Sequence, residues 1–183
     1  QEDQNSYCLT DTLKPVYEKA SNYAQADTRK VSVLITGESG TGKEHLANHI
    51  HKSSSRREKL FYTINCGAFN DELLRSELFG YKKGAFTGAD EDKEGLFGKA
   101  DGGTLFLDEI GEISPFMQQA LLRVLESGEF QPIGSVETKK VNVKIISATN
   151  KNLKELSNNG KFRLDLFYRL NTVTLELPPL RER

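Results

Sequence analysis

The sequence has little of what would place it outside a reducing, aqueous compartment. It holds two cysteines in 183 residues, and Cys8 and Cys66 stand far apart with no C-x-x-C spacing. Two reduced thiols fit the cytoplasm better than an oxidising compartment. No apolar run approaches the ~20 residues that a bilayer span needs. Residues 1–5 are polar and acidic, so no secretory leader is expected. Charge of one sign is missing too: 25 Lys and Arg against 26 Asp and Glu leave a net charge of −1. That balance argues against a broad nucleic-acid patch within this segment. Metal-ligand clusters are also wanting. His45 and His49 are four apart, but Leu46 stands where an H-E-x-x-H site needs its glutamate, and no third ligand is apparent. What remains is length enough for one α/β domain with a sizeable core.

The stretch that organises the chain is Gly37-Glu38-Ser39-Gly40-Thr41-Gly42-Lys43. Before it lies a β-branched run, residues 31–36, that reads as a buried strand. After it, Leu46, Ala47 and Ile50 recur at helical spacing. Strand, glycine-rich loop, helix is the context that makes G-x-x-x-x-G-K a phosphate site. Glycines let backbone N–H groups face an anion, and the helix N-terminus adds its unpaired donors. Lys43 is expected on the outer phosphates. The Ser or Thr that usually follows the lysine is Glu44, so the hydroxyl that ligates magnesium in other P-loops is missing.

A second motif answers the first. Residues 103–109, Gly-Thr-Leu-Phe-Leu-Asp-Glu, form an apolar strand ending in two carboxylates. Asp108 is expected to hold magnesium, usually through water, and Glu109 to orient and deprotonate the attacking water. Two further strands end in polar groups: Asn65 after residues 60–65, and Thr149 with Asn150 after residues 141–148. Ligands gather at such ends in open parallel sheets.

The remaining elements read as follows. Residues 12–26 form a helix whose start is fixed by Pro15, with Thr12 as cap; it either packs beside the nucleotide base or is an ordinary surface helix. Residues 53–59 make a polar, basic loop. Helices are expected over 73–78, 115–127, 153–158 and 162–170, and a last strand over 173–177. In the last helix Arg163 and Arg169 are six apart and would not share a face. Residues 128–140 form a loop rich in glycine, proline and charge. The oddest segment contains Gly84-Ala85-Phe86-Thr87-Gly88-Ala89. A phenylalanine left in water forgoes roughly 1.5–3 kcal/mol of burial, so Phe86 either tucks back onto the body or awaits a partner. Composition alone favours tucking back.

GESGTGKE, GAFTGA and GGTLFLDEIGE together resemble the AAA+ ATPase domains of bacterial sigma-54-dependent activators, the enhancer-binding proteins of the NtrC type. The resemblance runs from about residue 31 to 183, and Glu44 is shared with that family. It implies a P-loop α/β/α sandwich with a mostly parallel five-stranded sheet in the order 5-1-4-3-2. It implies a single AAA+ core over 1–183, with a leading helix in 1–30 and the nucleotide-binding part over 31–183. The family's helical lid and DNA-binding domain would follow residue 183, and DNA would be met only through the latter.

On the same resemblance, residues 37–44 with Thr149 and Asn150 take ATP and magnesium. Asp108 and Glu109 are the Walker B pair, and Asn65 is the switch asparagine. Arg163 and Arg169 are arginine fingers acting on a neighbour in a ring of six or seven copies. Phe86 and Thr87 become the tip of a loop that engages sigma-54 within RNA polymerase holoenzyme, with residues 128–140 as a second loop near the pore. The implied function is ATP hydrolysis coupled to remodelling of the closed promoter complex, in the cytoplasm and away from membranes. Alternatives are a nucleotide-dependent binding module without productive hydrolysis, or an AAA+ remodeller of another client.

Overall fold

The computed structural model describes residues 10–26 and 30–183. Cys8 lies outside them. Five strands form the central sheet: β1 Val33–Thr36, β2 Phe61–Asn65, β3 Thr104–Asp108, β4 Lys144–Thr149 and β5 Val173–Glu176. Their spatial order is β2-β3-β4-β1-β5, the 5-1-4-3-2 order read in reverse, and every pairing is parallel. Helices cover both faces: α1 Lys14–Ala24 and α2 Lys43–Lys52 on one, α3 Asp71–Phe79, α4 Leu96–Lys99, α5 Pro115–Ser127, α6 Leu153–Asn158 and α7 Leu164–Leu170 on the other. No helix among the described residues is long and apolar enough to cross a membrane.

The three layers follow from side chains that alternate along each strand. Leu34, Leu105, Leu107 and Ile145 face the core under α3, α5 and α7. Val33, Ile35, Phe106 and Ile146 face the core under α1 and α2. Both faces are covered, so the strands read as apolar runs. Register then aligns the strand ends: Thr36 pairs with Thr149 and with Glu176, and Asn65 pairs with Asp108. The polar termini expected from the sequence are therefore gathered at one edge.

Three expectations are corrected. Thr12 does not cap α1; Leu13 holds that position without a side-chain bond, and the Thr12 hydroxyl donates to the Glu182 carbonyl at 3.3 Å. Residues 53–59 are not simply a solvated basic loop. Arg56 is buried and donates to the Gly103 and Asn142 carbonyls and to Asn142 Oδ1, each at 2.9 Å. Residues 128–140 are not all loop, since Glu129–Phe130 pairs antiparallel with Lys139–Lys140. Lys144 adds a surprise inside β4. It is fully buried, and its ammonium donates to the Ala24 carbonyl at 3.0 Å, at the C-terminal end of α1.

Candidate active site

The glycine-rich loop leaves β1 and enters α2 with Gly40 and Gly42 at positive φ, 77° and 89°. An L side chain rarely adopts that backbone, which is why the motif needs glycine there. Gly37 is needed for another reason: a Cβ on it would meet Thr41 Oγ1 at 2.9 Å and the Leu177 carbonyl at 3.1 Å. The Lys43 ammonium folds over the loop and donates to the Gly37 and Glu38 carbonyls at 2.9 and 2.8 Å. Thr41 ties back to the Glu38 carbonyl at 2.7 Å. Glu44 is exposed in the first turn of α2, where a carboxylate complements the helix dipole.

The paired carboxylates stand beside this loop. Burial lowers the Lys43 pKa, and Asp108 and Glu109 oppose that shift, so all three groups share one field. Cys66 lies in the same field: burial first, then the two carboxylates, push its thiol up to about 12. Asp108 Oδ1 accepts the Glu109 backbone N–H at 2.9 Å. Glu109 is the one non-glycine residue at positive φ, 52°, among the described residues. Such strain in a residue expected to do chemistry is a common companion of function. Its carboxylate lies against Gly67, where an added Cβ would meet Glu109 Oε2 and displace it. Asn65 accepts the Gly67 N–H at 2.9 Å and so holds that glycine in place.

The end of β4 completes the cluster. Gly37 N–H donates to the Thr149 carbonyl at 3.3 Å, and Thr149 Oγ1 accepts Lys151 N–H at 3.0 Å. Asn150 Nδ2 donates to Ser39 Oγ at 3.2 Å. Lys151 pairs with Glu112 at 2.8 Å, joining the turns after Glu109 and after Thr149. A cleft of about 420 Å³ opens here, lined in part by Glu38, Asn150, Lys154, Phe167 and Glu176.

The two arginines part company. Arg163 precedes α7 on an open surface with Leu164 and Tyr168, in a bidentate pair with Asp165 at 3.0 and 2.9 Å. That pair holds the Asp165 carboxyl below its usual value. Arg169 donates instead to carbonyls of its own chain, Lys30 at 2.9 Å and Leu125 at 2.8 Å.

The Gly84 to Ala89 loop stands away from this cluster. It is closed by a Gly84 N–H bond to the Ala89 carbonyl at 2.8 Å, with Gly84 and Gly88 at φ 82° and 96°. Thr87 is exposed at its tip. Phe86 does both things the sequence left open: it stays 38 % exposed, yet rests edge-on against Tyr81 with ring centroids 4.8 Å apart.

The sequence motifs therefore converge on one edge of the sheet, apart from the arginines and the Phe86 loop. Among the described residues no group of three metal-capable side chains occurs. His49 is engaged by Ser21 Oγ at 2.8 Å and by the Tyr17 ring at 4.9 Å. Sequence reasoning missed Gly67, and it missed Arg181 and Arg183. Arg181 Nη1 donates to the Glu38 carboxylate oxygens at 2.9 and 3.0 Å, and Arg183 donates to the Thr41 carbonyl at 2.6 Å.

The family model described as "Sigma-54 interaction domain" matches residues 9–176. The chain is 52 % identical over 174 residues to the Nif-specific regulatory protein of Azotobacter vinelandii, covering 95 % of this chain and 33 % of that one. It is 58 % identical over 172 residues to the hydrogenase transcriptional regulatory protein HoxA of Bradyrhizobium diazoefficiens, covering 94 % and 36 %. The chain thus spans about a third of the length of these relatives. NtrX from Brucella abortus superposes with a TM-score of 0.88 at 35 % identity, covering 95 % of this chain and 38 % of NtrX. Its complex with ATP superposes at 0.84, covering 93 % and 38 %. With its P-loop α/β/α fold and a match over residues 9–176, the chain belongs to the family of sigma-54 interaction domains.

Proposed function

We propose that this chain is the ATP-hydrolysing part of a sigma-54 activator and couples hydrolysis to remodelling of the polymerase through residues 84–89. The observation that carries the proposal is the meeting of Lys43 with Asp108 and Glu109 in one field beside a glycine loop built for an anion. The complexes of NtrX with ADP and ATP, at 35 % identity, support nucleotide binding here.

In this reading the loop N–H groups and Lys43 collect the phosphates. Glu109 takes the proton of the attacking water, and Asn65 with Gly67 sets where its carboxylate stands. The donor set suits magnesium, since Asp108 offers a half-buried carboxylate and, among the described residues, no group of three metal-capable side chains occurs. Such a site fits an ion that keeps waters and binds mainly to phosphate oxygens. When bound, magnesium would neutralise charge on the phosphates. Arg163 or Arg169 would serve a neighbouring copy in a ring, and the Phe86 and Thr87 tip would meet sigma-54.

The test uses the full-length protein with sigma-54, ADP and aluminium fluoride, which mimics the transferring phosphoryl group. A nucleotide-dependent complex on a native gel, lost on Phe86→Ala, is the expected result. ATPase activity without any complex would leave an ATPase with a different client. A nucleotide-bound protein without hydrolysis would leave a binding module.

A further inference from the structure

We infer that Arg181 and Arg183 are positioning residues for the phosphate loop: Arg181 draws the Glu38 carboxylate aside and neutralises it, while Arg183 fixes the Thr41 carbonyl. The inference rests on the reading of this loop as a nucleotide site and adds the residues that set its affinity.

The electrostatic problem is in the loop itself. Glu38 puts a carboxylate into a stretch whose backbone donors collect an anion, and the next acid, Glu44, follows six residues later. An unpaired carboxylate there opposes the ligand. Arg181 answers it through one nitrogen: Nη1 lies within hydrogen-bond reach of both Glu38 oxygens, so a charge-assisted contact offsets the carboxylate. The chain leaving β5 is placed for this. Leu177 N–H donates to the Thr36 carbonyl at 2.8 Å, and its backbone runs against Gly37, so residues 177–183 pass along the flank of the loop.

Arg183 then reaches across. Its Nη2 donates to the Thr41 carbonyl at 2.6 Å and to the Pro178 carbonyl at 2.9 Å, bridging the loop to the segment that carries it. Thr41 is the residue between the two positive-φ glycines, so fixing its carbonyl fixes the peptide plane that joins it to Gly42. From the other side, the Thr12 hydroxyl donates to the Glu182 carbonyl at 3.3 Å. The three contacts make a strap from the leading turn of α1 across the loop.

The Arg181 arm of the strap is poorly placed to stabilise the fold. Side chains of Arg181 and Glu38 are 67 % and 59 % exposed, and pairs so exposed contribute little to stability. Its effect therefore belongs in ligand affinity, which separates it from a structural role.

The experiment titrates the full chain with a fluorescent ATP analogue and follows thermal unfolding in parallel. Arg181→Gln is expected to raise Kd about fivefold while leaving the melting midpoint in place. In the E38Q background, where no carboxylate needs neutralising, Arg181→Gln is expected to change Kd by less than about twofold. An equal rise in both backgrounds, or a rise in neither, overturns the Arg181 assignment. Arg183→Lys, which keeps a donor for Thr41, is expected to hold Kd within about threefold, and Arg183→Met to raise it about tenfold. Equal effects of the two overturn the clamp. Lys43→Ala keeps the two readings apart. Loss of binding in Lys43→Ala with no response to Arg181→Gln sinks the strap alone. A parent protein that does not bind the analogue sinks the nucleotide reading and the strap with it.

Discussion

The Glu109 carboxylate occupies the space that a side chain on Gly67 would need. Gly67 lies in the turn after β2 and Glu109 in the turn after β3, and the strands that present them are register neighbours. The glycine has no unusual φ; it is there to give the acid room. Gly67→Ala should push Glu109 off its position while leaving the phosphate loop untouched. Turnover should drop about 10²-fold with nucleotide affinity kept within a few-fold. Parallel kcat and Kd measurements check this, and a matching loss in both would show that the glycine serves binding instead.

Arg163 and Arg169 should separate when stability and turnover are read together. Removing Arg169 leaves the Lys30 and Leu125 carbonyls without it, and Arg169→Ala should lower stability by about 2 kcal/mol as well as slowing turnover. The Asp165 partner of Arg163 is exposed, so Arg163→Ala should leave stability within about 0.5 kcal/mol. A trans finger at either position would make turnover rise with protein concentration, and its loss should cost roughly 10³-fold or more. Unchanged turnover in both variants would make them ordinary surface and packing residues.

Arg56 is a staple of the sheet's lower edge. It joins the chain before β2 to the turns before β3 and β4. Arg56→Met should remove three charge-assisted bonds at once and cost about 3 kcal/mol. For a chain of this size that is a fall in Tm of roughly 10 °C. A Tm within a degree or two of the parent would mean that the surrounding carbonyls find other donors.

Stability should fall on mild acidification. Burial lowers the pKa of both His49 and His51 from 6.5, and for His51 the Lys144 and Lys52 charges add to the effect. His51 accounts for its whole ring while neutral: Nε2 faces the Lys59 carbonyl at 3.1 Å, and Nδ1 meets the Thr104 hydroxyl at 2.9 Å. Below about pH 6.5 the unfolded chain takes up protons that the folded chain refuses. The histidine contribution is therefore complete above that pH, is lost as the pH falls toward the folded pKa values, and levels off beneath them. Urea midpoints between pH 5 and 8 test the slope, and His51→Gln should flatten it. A parent curve that is level over this range would contradict the account.

Much of the site was legible because its determinants are local. A strand, a loop that needs positive φ and a helix follow one another within twenty residues, and Asp108 and Glu109 end an uninterrupted apolar strand. Parallel pairing then had to bring the ends of β1, β3 and β4 together. What escaped reading depends on contacts distant in sequence. Arg181 meets Glu38 across 143 positions, and nothing in Leu-Arg-Glu-Arg marks it as a partner of the loop. Lys144 looks like the polar half of an alternating strand, until α1 closes over it and offers carbonyls. Thr12 stands where a cap would, but its hydroxyl is drawn to Glu182.

The seat of the Phe86 loop has a mechanical consequence. Tyr81 is bridged to Ile133; Lys82 N–H donates to the Ile133 carbonyl and Ile133 N–H to the Gly80 carbonyl, both at 3.0 Å. Gly134, at φ 75°, lets Ala85 nest where a side chain would collide with it. Residues 84–89 and residues 129–140 are therefore joined at one root. A force that lifts one must either carry the other along or break two backbone hydrogen bonds, so work delivered at the base would arrive at both tips in a single stroke.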